Sequence, residues 1–236
     1  MIPMTTDAQI PPAVPGAPSG TPATAGQKRG YIVVFLVLAI ACALVWIRFN
    51  YAPRPLRRVL PDLGPAPAFS LTERSGAKVD SASLAGKVWI ADFIFTRCAG
   101  ACPAMSTQMR DLQGSFRKTP EVVLVSFSVD PEHDTPDALD KYAGFYTAQP
   151  GRWLFLAGGP GEVATLAVDG FKLATSATAD PAAGDAPAVV HSQKFVLVDG
   201  AGRIRGYYDG TDSETVQKLI RDVSALRAIE RETPAP

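Results

Sequence analysis

Val88-Trp89-Ile90-Ala91-Asp92-Phe93-Ile94-Phe95-Thr96-Arg97-Cys98-Ala99-Gly100-Ala101-Cys102-Pro103 is the stretch from which the rest of the chain can be read. Its first eight residues, through Phe95, are almost all apolar and β-prone, the pattern of a buried central strand. From Pro103 to about Arg117 the pattern changes to helical. Proline suits the first turn of a helix, and Met105, Met109 and Leu112 recur at roughly helical spacing. Cys98 and Cys102 therefore fall where a strand ends and a helix begins. Backbone N–H groups and the positive end of the helix favour a thiolate there, which predicts a pKa below the free-thiol value of about 8.5. If the turn is helical, two sulfurs four positions apart share one face. Such a pair can close a disulfide or hold one soft metal ion between two thiolates. Structural zinc asks for four protein ligands, and no second cysteine pair exists. Two thiolates with one imidazole suit copper better.

The chain has 236 residues, is 47% hydrophobic and carries a formal net charge of zero. That length suits one globular domain with attached segments. Neutrality leaves no basic domain to meet phosphates, which argues against nucleic acid as a partner. Three cysteines, one of them (Cys42) inside an apolar run, do not make a disulfide scaffold. Residues 1–26, rich in Pro, Ala, Gly and Thr, bury too little apolar surface to offset the entropy of ordering and read as a disordered tail.

Residues 27–50 read as a single transmembrane helix. The run Tyr31 to Ile47 carries no charge, follows Lys28 and Arg29, and ends with Trp46 near the boundary, so the membrane partner is met through residues 31–47. A core helix would show a polar face, and this one has none. A signal peptide would be cleaved near Ala41 or Ala43, but the apolar run continues past both. Ala39-Ile40-Ala41-Cys42 resembles a weak lipoprotein signal, though hydrophobic residues follow the cysteine. The reading adopted is an uncleaved anchor. Taken literally, the positive-inside rule would place the following domain in the cytoplasm, because Arg48, Arg54, Arg57 and Arg58 come after the helix.

Residues 51–66, with Pro53, Pro55, Pro61 and Pro65, read as a proline-rich linker holding the domain off the membrane. The domain itself spans 67–230, and 231–236 is a second disordered tail. Phe69–Thr72 and Lys78-Val79 suggest a short hairpin ahead of the central strand. Val122–Val129 is a second buried strand. Asp134 or Thr135 then caps a helix over Asp137–Tyr146, which returns to a strand at Trp153–Leu156. A short helix covers Gly161–Val168. Phe195–Val198 and Ile204–Tyr208 read as an antiparallel hairpin, and Ser213 caps a last helix reaching about Ile229. Strand–helix alternation followed by a hairpin and a helix is the α/β order of a thioredoxin-like domain, here with an N-terminal hairpin extension and a preceding membrane helix.

Only two histidines exist. His191 follows a segment, 174–189, dominated by Ala, Thr, Ser, Asp, Gly and Pro, which predicts a mobile loop. In a thioredoxin-like fold the junction it occupies lies beside the start of the first active helix, within reach of both sulfurs as a third ligand, although a lone histidine is more often a surface or hydrogen-bonded structural residue. His133 sits in an acidic polar loop and reads as solvated. Met105 and Met109 are thioethers able to bind Cu(I), but their helical spacing reads as core filling.

Three stretches taken together resemble the Sco/SenC family of copper proteins: Phe95-Thr96-Arg97-Cys98 with Cys102-Pro103, then Ser128-Val129-Asp130-Pro131-Glu132-His133-Asp134-Thr135-Pro136, then Val190-His191-Ser192. The resemblance covers roughly 67–230 in matching order. It implies a thioredoxin-like fold tethered by one N-terminal span, with copper held by Cys98, Cys102 and His191 as the metal ligands. It further implies a role in loading the dicopper site of cytochrome c oxidase subunit II, as copper donor, as thiol reductant of that site, or both. Asp130 matches the family's acidic loop. Many members have proline after the first cysteine, where this chain has Ala99, which alters the loop and removes no ligand. The resemblance also implies a domain facing the bacterial periplasm or the mitochondrial intermembrane space, against the arginine count. On that resemblance the chain is expected to be an inner-membrane, single-pass protein.

Two enzymatic readings stand beside the metallochaperone. One is a thiol–disulfide oxidoreductase with Cys98 and Cys102 as its redox-active pair, which shares the fold but gives His191 no work. The other is a peroxidase of the peroxiredoxin kind, which wants threonine three residues before its reactive cysteine, where Phe95 stands.

Overall fold

The computed structural model describes residues 25–51, 59–173 and 192–232. The expected tail before residue 25, the linker residues 52–58, the loop 174–189 with His191, and residues 233–236 lie outside the described residues. The chain divides into two units, Met1–Leu56 and Arg57–Pro236. In the first, helix α1 (Ala25–Tyr51) begins two residues before the expected span. Its Tyr31–Arg48 segment has a mean hydropathy of 2.5 with no side chain covered, and is long and apolar enough to cross a membrane.

The second unit starts on what reads as linker. Leu60 is buried, and Leu63 N–H donates to the Ile204 carbonyl, Ile204 N–H to Gly64 and Ala66 N–H to Gly202. From Leu60 onward this proline-rich stretch is therefore docked on the folded unit. Its non-proline residues still bring donors and acceptors to a strand edge, which a proline count overlooks. Strands β1 (Ser70–Glu73) and β2 (Lys78–Asp80) form the expected antiparallel hairpin. After a 3-10 turn at Ser81–Leu84 come β3 (Val88–Ile94), α2 (Cys102–Ser115), β4 (Val122–Ser128), α3 (Pro136–Phe145) and β5 (Trp153–Ala157). A single helical turn α4 (Glu162–Thr165) runs into a wider π turn at Leu166–Gly170. Then follow β6 (Lys194–Val198), β7 (Ile204–Asp209) and α5 (Ser213–Glu232).

The seven strands make one sheet in the order β2-β1-β5-β4-β3-β6-β7, with β3, β4 and β5 parallel and β6 antiparallel to β3. This is the thioredoxin-like arrangement the sequence order implies. β3 lies between β4 and β6 and is buried along all seven residues. Its side chains alternate. Val88, Ile90 and Ile94 face a core with Met105, Met109 and Leu112 of α2, Leu139 of α3, and Val216, Leu219, Val223 and Leu226 of α5. Trp89, Ala91 and Phe93 face a second core with Phe69, Phe127, Val163 and Phe171. The two methionines are core filling, as their spacing suggested.

Local chemistry fixes the element ends. Thr135 Oγ1 accepts from Ala138 N–H at 3.3 Å and Pro136 opens the first turn, so α3 starts at Thr135 and Asp134 is left for other work. α5 is capped by the carboxylate of Asp212, which accepts from Thr215 N–H at 3.0 Å, rather than by the hydroxyl of Ser213. Between β6 and β7, Asp199 Oδ1 accepts from Ala201 and Arg203 N–H, and Gly202 takes φ 72°, a turn that a side chain would strain.

Leu112 is fully buried under β3, so Leu112→Ala is expected to destabilise the folded unit by about 3 kcal/mol. Phe145→Ala on the exposed side of α3 is expected to change it by less than about 0.5 kcal/mol. Urea denaturation followed by tryptophan fluorescence measures both.

Candidate functional site

A strand buried on both faces has to surrender its chain at an end, and β3 does so at Phe95. The backbone turns there, with Cys98 N–H donating to the Phe95 carbonyl at 3.2 Å, and α2 begins at Cys102, with Pro103 in its first turn. Ala101 offers no capping side chain, which leaves Cys102 at the uncapped, positive end of the helix. Cys98 is partly exposed, Cys102 is 7% exposed, and neither is in a disulfide. The sequence thus places both cysteines correctly and misjudges one of them. The Cys102 thiol is pushed up, chiefly by its hydrogen bond with Cys98 and then by burial, both of which outweigh the Phe95 backbone bond that favours its anion. A helix N-terminus lowers a thiol only if the sulfur also reaches solvent, and this sulfur lies inside the core under β3.

The loop carrying Cys98 is latched by Asp134, whose carboxylate is 1% exposed. Thr96 N–H donates to it at 3.1 Å, Thr96 Oγ1 at 2.6 Å and Ser128 Oγ at 2.5 Å. Val129 N–H donates to the Ile94 carbonyl at 2.9 Å, so the two parallel strands are tied beyond their last pair. Read as a possible helix cap, Asp134 instead joins the end of β3 to the loop before α3. Further out, Arg97 Nη2 donates to Asp130 at 2.9 Å. His133 Nδ1 lies 2.8 Å from the same guanidinium nitrogen and 2.9 Å from Asp130. A guanidinium only donates, so the Nδ1–H tautomer bonds Asp130 and the Nε2–H tautomer accepts from Arg97. Burial alone would raise the Asp130 carboxyl, but His133 and Arg97 hold it below the usual carboxylate value. His133 is half exposed at this rim, in keeping with a solvated polar loop.

Sequence reading passed over Asp92. It shares its parity on β3 with Ile90 and Ile94, and so points into the core that holds Cys102. Ser126 Oγ donates to its Oδ1 at 2.6 Å, and Trp153 Nε1 donates to Ser126 at 2.9 Å. Oδ2 has no hydrogen-bond partner among the described residues. Desolvation pushes this carboxyl up to about 7 despite the Ser126 bond. Nearby, Tyr142 shares a 2.7 Å hydrogen bond with Ser106, and burial drives its hydroxyl well above the ordinary tyrosine value. The available signal was one carboxylate at a core-facing position of an otherwise apolar run.

Among the described residues no group of three His, Cys, Asp or Glu side chains is placed to hold a metal. Two sulfurs meet, and the third predicted donor, His191, lies outside the described residues. The described chain nevertheless resumes next to the site. β6 runs antiparallel to β3 with Val196 opposite Ala91, so it enters the sheet at the end where β3 leaves, just after the buried Ser192.

Known proteins match this arrangement along most of its length. The family described as SCO1/SenC matches residues 63–227. The SCO1 protein homolog of Bacillus subtilis (strain 168) is 35% identical over 208 residues, which cover 86% of this chain and 97% of that protein. The structure of BsSco, a member of the Sco family of cytochrome c oxidase assembly proteins with an identified disulfide switch, is 34% identical. It superposes with a TM-score of 0.61, covering 72% of this chain and 98% of BsSco. Bradyrhizobium japonicum ScoI with copper bound is 23% identical, with a TM-score of 0.56 over 69% of this chain and 99% of its own, a likeness of fold.

Two outcomes follow from the buried carboxylates. Asp134→Ala is expected to cost about 2–3 kcal/mol by stranding the Thr96 and Ser128 donors, read by urea denaturation. Asp92 keeps its proton up to about pH 7 in the fold but only to about pH 4 when unfolded. Stability should therefore fall by a few kcal/mol as pH rises from about 4 through 7. Asp92→Asn should flatten that slope, measured by denaturation across the same pH series.

Proposed function

The chain belongs to the SCO1/SenC family, and on that premise we propose that it is a membrane-tethered copper metallochaperone serving the dicopper site of cytochrome c oxidase subunit II. The observation that carries the reading is the pairing of Cys98, partly exposed, with Cys102, buried behind it, at the end of the central strand. Two soft sulfur donors with no carboxylate among them suit copper and leave hard cations poorly served. We assign the third ligand to His191, supported by its position one residue before Ser192 and by the entry of β6 beside the dithiol. Such a site receives its copper as cargo and gives it up by exchange of ligands.

Within this reading the chain's own residues divide the work. Asp134 keeps the Cys98 loop at the strand end, and the apolar packing of Met105 and Met109 keeps water from the inner sulfur. Arg97, Asp130 and His133 form a charged rim able to meet an acceptor surface. Tyr31–Arg48 supports an anchor, with the domain on the periplasmic or intermembrane-space side where the acceptor copper site lies. The second reading, a thiol–disulfide oxidoreductase that reduces the acceptor's cysteines, is favoured by the hydrogen bond between the two thiols, which holds them in reach of one another.

Copper titration with a chromogenic Cu(I) competitor separates the two. The wild-type protein is expected to bind one copper, and Cys98→Ser or Cys102→Ser to lose at least about a hundredfold in affinity. His191→Ala should weaken binding and change the spectrum while leaving both thiols titratable. Affinity should fall as pH drops and protons compete for the sulfurs. A wild-type protein that takes up no copper yet turns over disulfides would replace the metallochaperone with the oxidoreductase.

A further inference from the structure

Arg97 is an exposed arginine held in a fixed pose that the fold itself does not need. Its Nη2 donates to Asp130 Oδ2 at 2.9 Å and lies 2.8 Å from His133 Nδ1, so two groups of the loop after β4 grip one nitrogen. Asp130 is itself set in place. Its side chain is 12% exposed, its amide donates to Ser128 Oγ at 3.3 Å, and its carbonyl accepts from Asp134 N–H at 2.9 Å. A surface ion pair of this kind adds little to stability, and the segment between β3 and α2 is already latched by Asp134. The rest of the guanidinium is unused: Nε and Nη1 bond no other described residue, and the side chain is 53% exposed. The next residue is Cys98, the sulfur of the pair that solvent reaches. In the loops 95–101 and 129–135 Arg97 is the sole lysine or arginine, while Glu132 and, just beyond, Asp137 are exposed acids. These loops therefore present one oriented cation and no broad positive field.

We propose that Arg97 is a recognition residue, whose unengaged Nη1 takes a carboxylate on the polypeptide that Cys98 meets, an aspartate or glutamate lying beside that partner's own cysteine. The inference rests on reading Cys98 as the outward reactive sulfur of the site, and it adds the side chain that the partner has to carry. A guanidinium can serve two anions at once, because its donors point in separate, fixed directions. Asp130 occupies one direction and leaves another open to solvent. An ammonium on a flexible stem would instead be drawn to Asp130 as a point charge. The grip of Asp130 and His133 also lowers the cost of binding, since a free arginine loses much of its rotamer freedom when a partner fixes it and this one is already restrained. With exposed acids on the same loop and at the start of α3, a carboxylate is accepted at this one donor group and repelled around it. That sets the register of the partner against Cys98 rather than merely attracting it.

The test needs no metal. Full-length protein in detergent, with Cys42→Ala and Cys102→Ser so that Cys98 alone reacts, is mixed with an excess of either of two chromogenic disulfides. One is 5,5′-dithiobis(2-nitrobenzoate), which carries a carboxylate on each ring, and the other is 4,4′-dithiodipyridine, which carries none. Cys98 attacks one sulfur of the probe, a Cys98–probe disulfide forms, and the other half leaves, its absorbance giving the rate. A change in the exposure or nucleophilicity of Cys98 moves both rates together, so their ratio reports recognition of the carboxylate. Arg97→Gln is expected to lower the ratio of the carboxylate probe to the neutral one about tenfold. Arg97→Lys, which keeps the charge and loses the fixed donors, is expected to lower it at least about threefold. An unchanged ratio in Arg97→Gln overturns the proposal. A ratio that Arg97→Lys preserves in full overturns it too, because charge alone would then account for the preference. Failure of Cys98 to react with either probe overturns the premise that it is the outward reactive sulfur, and the proposal with it. Absence of copper binding, measured separately, bears on the metallochaperone and leaves the ratio unaffected.

Discussion

Asp134 is where the fold and the site become one problem. A parallel pair of strands ends with backbone groups that no ladder satisfies, and here one buried carboxylate gathers the Thr96 amide, the Thr96 hydroxyl and the Ser128 hydroxyl at that place. Without it the segment after β3 would be an ordinary loop, free to carry Cys98 away from Cys102. With it, the outer cysteine is held to within a few bonds of a rigid strand. Everything chemical in the molecule depends on that restraint, because the inner cysteine is already fixed by the start of α2.

The site is built from two unlike halves. Towards solvent stand Cys98 and the Arg97–Asp130–His133 group, polar and partly hydrated. Towards the core stand Cys102, Asp92, Ser126, Trp153 and Tyr142, a small polar cluster enclosed by Ile90, Ile94, Met105 and Phe155. Low local polarity acts in the same direction on the two groups nearest the centre. It keeps the Cys102 thiol protonated and keeps Asp92 protonated to an unusually high pH. Asp92 therefore gives up its proton at a far lower pH than the Cys102 thiol does.

Much of this was legible in the residues. Seven nearly apolar positions from Val88 fixed the central strand, and the spacing of Met105, Met109 and Leu112 fixed the helix that covers it. The cysteines followed from the boundary between the two. Roles that depend on three-dimensional surroundings were not legible. Asp92 looked like an interruption in a hydrophobic run because parity, not composition, decides which core it enters. Asp134 looked like a helix cap because Thr135 beside it is an equally good one, and only the position of Thr96 shows which residue is free for the latch. Likewise Leu60–Ala66 reads as spacer by its prolines, whereas its remaining amides and carbonyls attach it to the start of β7.

The unequal exposure of the two sulfurs has a consequence for how copies of this chain meet under oxidising conditions. An intermolecular bridge needs a sulfur that a second protein can approach, and only Cys98 of the pair presents one. Any covalent dimer formed through this end of the sheet would be symmetrical, joined at Cys98, and would carry a resolving thiol on each side just behind the bond. Such a dimer dismantles itself, so the geometry that makes the site reactive also guards it against being trapped.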